Sequence, residues 1–165
     1  MNKLSKNNSK VNKSSPVKLS SHHLLAIEGM QKTEIQKLLD RADYFANLDK
    51  HADTKYLSGY VVLNVFFENS TRTRVSFELA ARRLGAEVIN ISLINSSIKK
   101  GESLLDTAST LNAMKPDLLI VRHPHSGAPL LFAEYLSCSI INAGDGRHEH
   151  PTQALLDALT IKRRI

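Results

Sequence analysis

A length of 165 residues allows one ordinary domain with a buried core and excludes two large ones. A hydrophobic share of 42% against 23% charged is that of a globular protein, and no apolar run nears the roughly twenty residues of a membrane span. The net charge of +6 is misleading: residues 1–20 hold five lysines and no acid, and the rest carries 17 basic against 16 acidic residues.

In chain order, that Lys/Asn/Ser-rich start reads as a disordered basic leader over residues 1–20. It has neither the apolar segment of a signal peptide nor the arginines of a transit peptide, so a cytoplasmic location is expected. No aromatics interleave its lysines, which argues against nucleic acid as a partner. Residues 21–165 are expected to form the domain. Ile35, Leu38, Leu39, Ala42, Phe45 and Ala46 recur at helical spacing, with Thr33 as the expected cap.

An alternation of strands and helices then begins. Strands are expected over 60–67, 87–93, 117–123 and 139–143. Helices are expected over 75–84, closed by Gly85, then 103–114, 128–136, and from Pro151 onward. Four short apolar strands, each followed by a helix, predict an α/β fold: a doubly wound four-stranded parallel sheet with helices on both faces. The single Cys138 excludes a disulfide framework and any multi-cysteine metal site, and reads as a small core residue.

The polar clusters all follow strand ends. Ser70, Thr71, Arg72, Thr73 and Arg74 come after the first strand, and Ser96, Ser97, Lys99, Lys100 and Glu102 after the second. Arg122 and His123 close the third, and Arg147, His148, His150 and Gln153 follow the fourth. In such sheets ligands bind at the carboxyl ends of the strands. Ser70–Thr73 would open a helix whose first turn has free N–H groups and a positive dipole end, and Arg72 would add charge-assisted bonds to a phosphate-like anion. Ordinary N-capping explains Ser-Thr equally well, but two arginines in a first turn oppose the dipole and need a reason. Arg122 could reach a carbonyl oxygen, His150 could donate to one, and Gln153 can both donate and accept, which suits recognition of a carbamoyl NH2 group. No nucleotide-binding glycine loop and no nucleophile with a base partner is present. Asp145, His148 and His150 make a weak metal pattern, ranked below substrate contact or loop packing. No metal and no cofactor is expected. The chemistry indicated is electrostatic.

The strings FFENSTRTRVSFELAARRLGA, KKGESLLDT, VRHP and NAGDGRHEHPTQALLD, in this order, resemble the carbamoyl-phosphate half of the aspartate carbamoyltransferases over about residues 22–163. The resemblance implies transfer of a carbamoyl group from carbamoyl phosphate to L-aspartate in pyrimidine biosynthesis. It assigns Ser70, Thr71, Arg72 and Thr73 to the phosphate, and Arg122, His150 and Gln153 to the carbamoyl group, with Arg72, Thr73, Arg122 and His150 as the catalytic set. Ser97 and Lys100, or their neighbours Ser96 and Lys99, would reach a neighbouring subunit's site, so a homotrimer with shared active sites is implied. Regulatory chains are a further partner the family admits. Glu68 and Glu102 would orient arginines. The family's second, amino-acid-binding domain is expected to be absent from these 165 residues, which would bind carbamoyl phosphate without completing the transfer. The competing readings are an ornithine-type transcarbamoylase, a non-catalytic phosphometabolite-binding module, and nucleic-acid binding through the leader.

Overall fold

A computed structural model describes residues 18–49, 52, 54–93 and 103–165. The described elements run α1 (Lys32–Ala46), β1 (Val61–Phe66), α2 (Thr71–Arg83), β2 (Glu87–Ser92), α3 (Leu104–Ala113), β3 (Leu118–His123), α4 (Ala128–Tyr135), β4 (Ser139–Asp145) and α5 (Pro151–Arg164). The strands form one parallel sheet in the order β2-β1-β3-β4. The fold is the one expected.

Alternation along the strands divides the core into two layers. Leu63, Val65, Leu119, Val121 and Ile140 point to one face and pack with Ala108 and Leu111 of α3 and Phe132 of α4; Cys138 is buried in this layer. Val62, Phe66, Val88, Ile120 and Ala143 point to the other face and meet Ala81 of α2. The chain winds from β1 to β2 over one face and from β2 through β3 to β4 over the opposite one. The direction of winding therefore reverses between β1 and β3, and a crevice opens there at the carboxyl ends of both strands.

Three local features differ from the periodicity. The cap of α1 is Gln31, not Thr33: Glu34 accepts the Gln31 N–H at 3.2 Å and the Ser20 N–H at 2.6 Å, which places Thr33 inside the first turn. β4 runs two residues beyond Ala143, because Asp145 pairs with His123 past a register shift. Leu24 makes a parallel bridge to Ile141, with its N–H on Ile140 O at 2.8 Å and its carbonyl accepting from Asn142 N at 2.9 Å. Residues 23–28 thereby line the exposed edge of the sheet.

Candidate active site

The first wall of the crevice is the turn from β1 into α2. Ser70 is the N-cap of α2, but its hydroxyl makes no capping bond, and the first turn holds no acid. The N–H groups of that turn are thus left for an external acceptor at the positive end of a 13-residue helix. Arg72 is exposed and has no hydrogen bond or ion pair among the described residues. Asn64, wholly buried in β1, donates to the Arg74 carbonyl at 3.1 Å and to Asn90 Oδ1 at 2.8 Å. That amide fixes the start of α2 against the sheet. Its only signal in the sequence is a polar residue in an otherwise apolar strand.

The second wall comes from the end of β3. Arg122 donates from Nη1 to the Ala143 carbonyl at 2.9 Å. Glu68 Oε1 lies 2.5 Å from its Nε, yet this buried Nε–H has no aligned acceptor, so the contact is an ion pair rather than a hydrogen bond. Gly144 lies opposite at φ +116°, and a Cβ there would run into Arg122 Nη1. The glycine is needed twice, for its backbone angle and for the space the guanidinium occupies.

The third wall is the turn from β4 into α5. His150 is the N-cap of α5, with Pro151 at the first helical position. Burial, and then the charge of Arg122, lowers the pKa of His150 below its ordinary value, so the ring is neutral at pH 7. Thr152 Oγ1 lies 3.2 Å from Nδ1. With the hydroxyl donating there, the ring proton sits on Nε2. Gln153, one turn into the helix, is exposed and rests its amide on Asp157 at 2.9 Å.

The carboxylate oxygens of Asp145 are filled by donors within the chain. It is 2% exposed and accepts from Gly127 N at 2.8 Å, Asn142 Nδ2 at 2.9 Å, Glu149 N at 3.1 Å and His148 Nδ1 at 3.1 Å. Burial alone would raise its pKa, but these bonds and the charge of His148 outweigh it and hold the carboxyl below its ordinary value. His123 is buried too, edge-on to Phe67, and accepts the His125 N–H on Nδ1 at 3.0 Å. Burial, and next to it the charge of His125, lowers its pKa.

The structure gathers Ser70, Thr71, Arg72, Thr73, Arg122, His150 and Gln153, with Asn69, around one polar cleft of about 500 Å3. Ser97 and Lys100, with Ser96, Lys99 and Glu102, lie outside the described residues. Sequence reasoning passed over Asn64, Gly144 and Glu149, and weighed Asp145 only as a weak metal ligand.

A helix N-terminus, two arginines and one neutral imidazole at the switch point of a doubly wound sheet make up a domain suited to a phosphate-bearing anion. The chain belongs to the aspartate/ornithine carbamoyltransferase family: residues 22–163 match its carbamoyl-P binding domain. The aspartate carbamoyltransferase catalytic subunit of Dinoroseobacter shibae is 62% identical over 149 residues, covering 88% of this chain and 46% of that one. That of Rhodospirillum rubrum is 62% identical over 144 residues, covering 86% and 45%. Among solved structures, the catalytic subunit of M. jannaschii aspartate transcarbamoylase matches with TM-score 0.80 and 45% identity, over 87% of this chain and 47% of that one. The Trypanosoma cruzi aspartate transcarbamoylase in complex with carbamoyl phosphate and aspartate matches with TM-score 0.77 and 39% identity, over 86% and 44%. The chain spans somewhat less than half the length of these relatives. Among the described residues, no helix is long and apolar enough to cross a membrane.

Proposed function

We propose that this chain supplies the carbamoyl-phosphate half of an aspartate carbamoyltransferase site, working in the cytoplasm. The observation that carries the reading is the convergence of the Ser70–Thr73 turn, Arg122, His150 and Gln153 on one cleft. The 62% identity to catalytic subunits named for aspartate supports aspartate over ornithine as acceptor.

In this reading the phosphate oxygens take the free N–H groups of α2, the hydroxyls of Ser70, Thr71 and Thr73, and the Arg72 guanidinium. The carbamoyl carbonyl lies between Arg122 and the Nε2–H of His150, and Gln153 leaves Asp157 to bind the carbamoyl NH2. The amine of aspartate attacks the carbonyl carbon, and its proton passes to the departing phosphate. Negative charge gathers on the carbonyl oxygen, where Arg122 and His150 stabilise it, and the C–O bond to phosphate then breaks. A neutral imidazole suits this task, since it donates without adding a second full charge beside Arg122. Phosphate departs with its charge already held at the helix terminus. Ser97 and Lys100 are proposed to complete a neighbouring subunit's site in a homotrimer.

Calorimetric titration with carbamoyl phosphate, with inorganic phosphate and ornithine as controls, tests the half-site. Saturable binding of carbamoyl phosphate tighter than phosphate, with none of ornithine, is expected. A folded chain that binds neither anion would refute the reading.

A further inference from the structure

We propose that Asp145 and Glu149 are positioning residues for His150, setting its ring against Arg122 without touching the substrate. The proposal rests on reading the cleft as a carbamoyl-phosphate site.

The turn before His150 is closed from both sides. Asp145 N–H donates to the Glu149 carbonyl at 3.2 Å, and Glu149 N–H returns to Asp145 Oδ1 at 3.1 Å. A buried carboxylate is costly unless its oxygens are filled, and those of Asp145 are. One of its donors, Gly127 N, belongs to the N-cap of α4, so the turn is tied to the positive end of a second helix. The Glu149 side chain ties it the other way. Its carboxylate accepts the Ile27 N–H at 2.6 Å and the Glu28 N–H at 3.4 Å, 122 and 121 residues away in sequence. Asn142 joins both ties, donating to Leu25 O and Asp145 Oδ1 at 2.9 Å each while accepting the Gly144 N–H at 2.8 Å. Gly144 is the residue against which Arg122 lies. One network therefore sets both the backbone behind Arg122 and the residue that precedes His150. The Ser70–Thr73 turn takes no part in it.

That separation gives the proposal its test. Glu149→Ala, Glu149→Gln and Asp145→Asn are made in this chain and titrated calorimetrically with inorganic phosphate and with carbamoyl phosphate. The His150 imidazole is titrated by NMR in each. In Glu149→Ala the preference for carbamoyl phosphate over phosphate falls about fivefold, the worth of one neutral hydrogen bond, while phosphate affinity holds. The His150 titration moves up toward its ordinary value as the ring leaves its buried place beside Arg122. Glu149→Gln restores both, because one amide oxygen suffices for the Ile27 N–H. Asp145→Asn moves both readouts further in the same direction, since an amide offers one acceptor where the carboxylate offers two. If Asp145→Asn fails to fold, the Glu149 pair decides. A folded Glu149→Ala with wild-type preference and wild-type titration overturns the proposal, as does an equal loss for both ligands. Should the wild type show no preference for carbamoyl phosphate, the functional reading fails, and the NMR titration alone judges the positioning.

Discussion

The two sides of the cleft are built on opposite plans. On the α2 side the side chains are contiguous in sequence, Arg72 is exposed, and neither it nor the Ser70 hydroxyl is committed to an internal partner among the described residues. On the β4–α5 side nearly every polar group is committed, through bonds spanning up to 122 residues of sequence. The contrast teaches that, in the proposed function, anion affinity and carbamoyl recognition are separable. In that reading the first comes from a helix terminus that needs little support, and the second from a turn whose geometry must be held.

The largest effect is expected where the first side is broken. Arg72→Ala loses about 2–3 kcal/mol of binding, roughly 30- to 150-fold, for phosphate and carbamoyl phosphate alike. Its stability to denaturant stays within about 0.5 kcal/mol of wild type, as for a surface residue with no partner among the described residues. Calorimetry and urea unfolding of the same sample check both halves, and a large loss of stability would break the comparison.

Gly144→Ala breaks the second side. Its φ of +116° and the collision with Arg122 Nη1 predict a stability loss of about 2 kcal/mol. Unlike Arg72→Ala, it weakens carbamoyl phosphate more than phosphate. Equal weakening of the two ligands would show that both sides act as one.

Acidity sharpens the comparison further. His23, His123 and His150 are all lowered from an ordinary value near 6.5, chiefly by burial. In each case the unfolded chain binds the proton first. Stability is therefore complete above pH 6.5 and falls as the pH drops through 6.5 toward the folded-state values. The lowered pKa of Asp145 acts in the same direction but lower on the scale: its contribution is present above its ordinary value of 3.8 and is lost only as the pH falls below it. Urea midpoints at pH 8, 6 and 5 should decline on the acid side; a flat profile would contradict burial of these rings.

The smallest effect belongs to the charge pairs joining α1 and α5. Lys162–Asp40 at 2.8 Å and Arg163–Asp43 at 2.6 Å are close, but all four side chains are more than 40% exposed. Lys162→Ala should cost about 0.5 kcal/mol or less in urea unfolding.

The same division explains what the sequence disclosed. The sheet was legible because its four strands are apolar runs punctuated by Gly85, Pro116 and Pro151, and the Ser70–Arg74 turn because its residues are adjacent. The α1 cap is not legible because Glu34 serves Gln31, a residue without a strong capping preference of its own. The bridge at Leu24 was missed because one paired residue produces no alternation. β4 outruns its apolar stretch because Gly144 and Asp145, poor strand formers, are held in line by the pairing of Asp145 with His123. The Asp145–Glu149 network was illegible for a deeper reason. Its partners Leu25, Ile27 and Gly127 contribute backbone groups, whose chemistry is the same at nearly every position.

Amide NMR mapping of the isotopically labelled chain, first with inorganic phosphate and then with carbamoyl phosphate, tests the division most directly. Phosphate should perturb Ser70–Arg74 alone, and carbamoyl phosphate should add Arg122, Ala143–His150 and Gln153. If carbamoyl phosphate perturbs only the residues that phosphate does, or neither ligand touches the α2 turn, the two-sided account is contradicted.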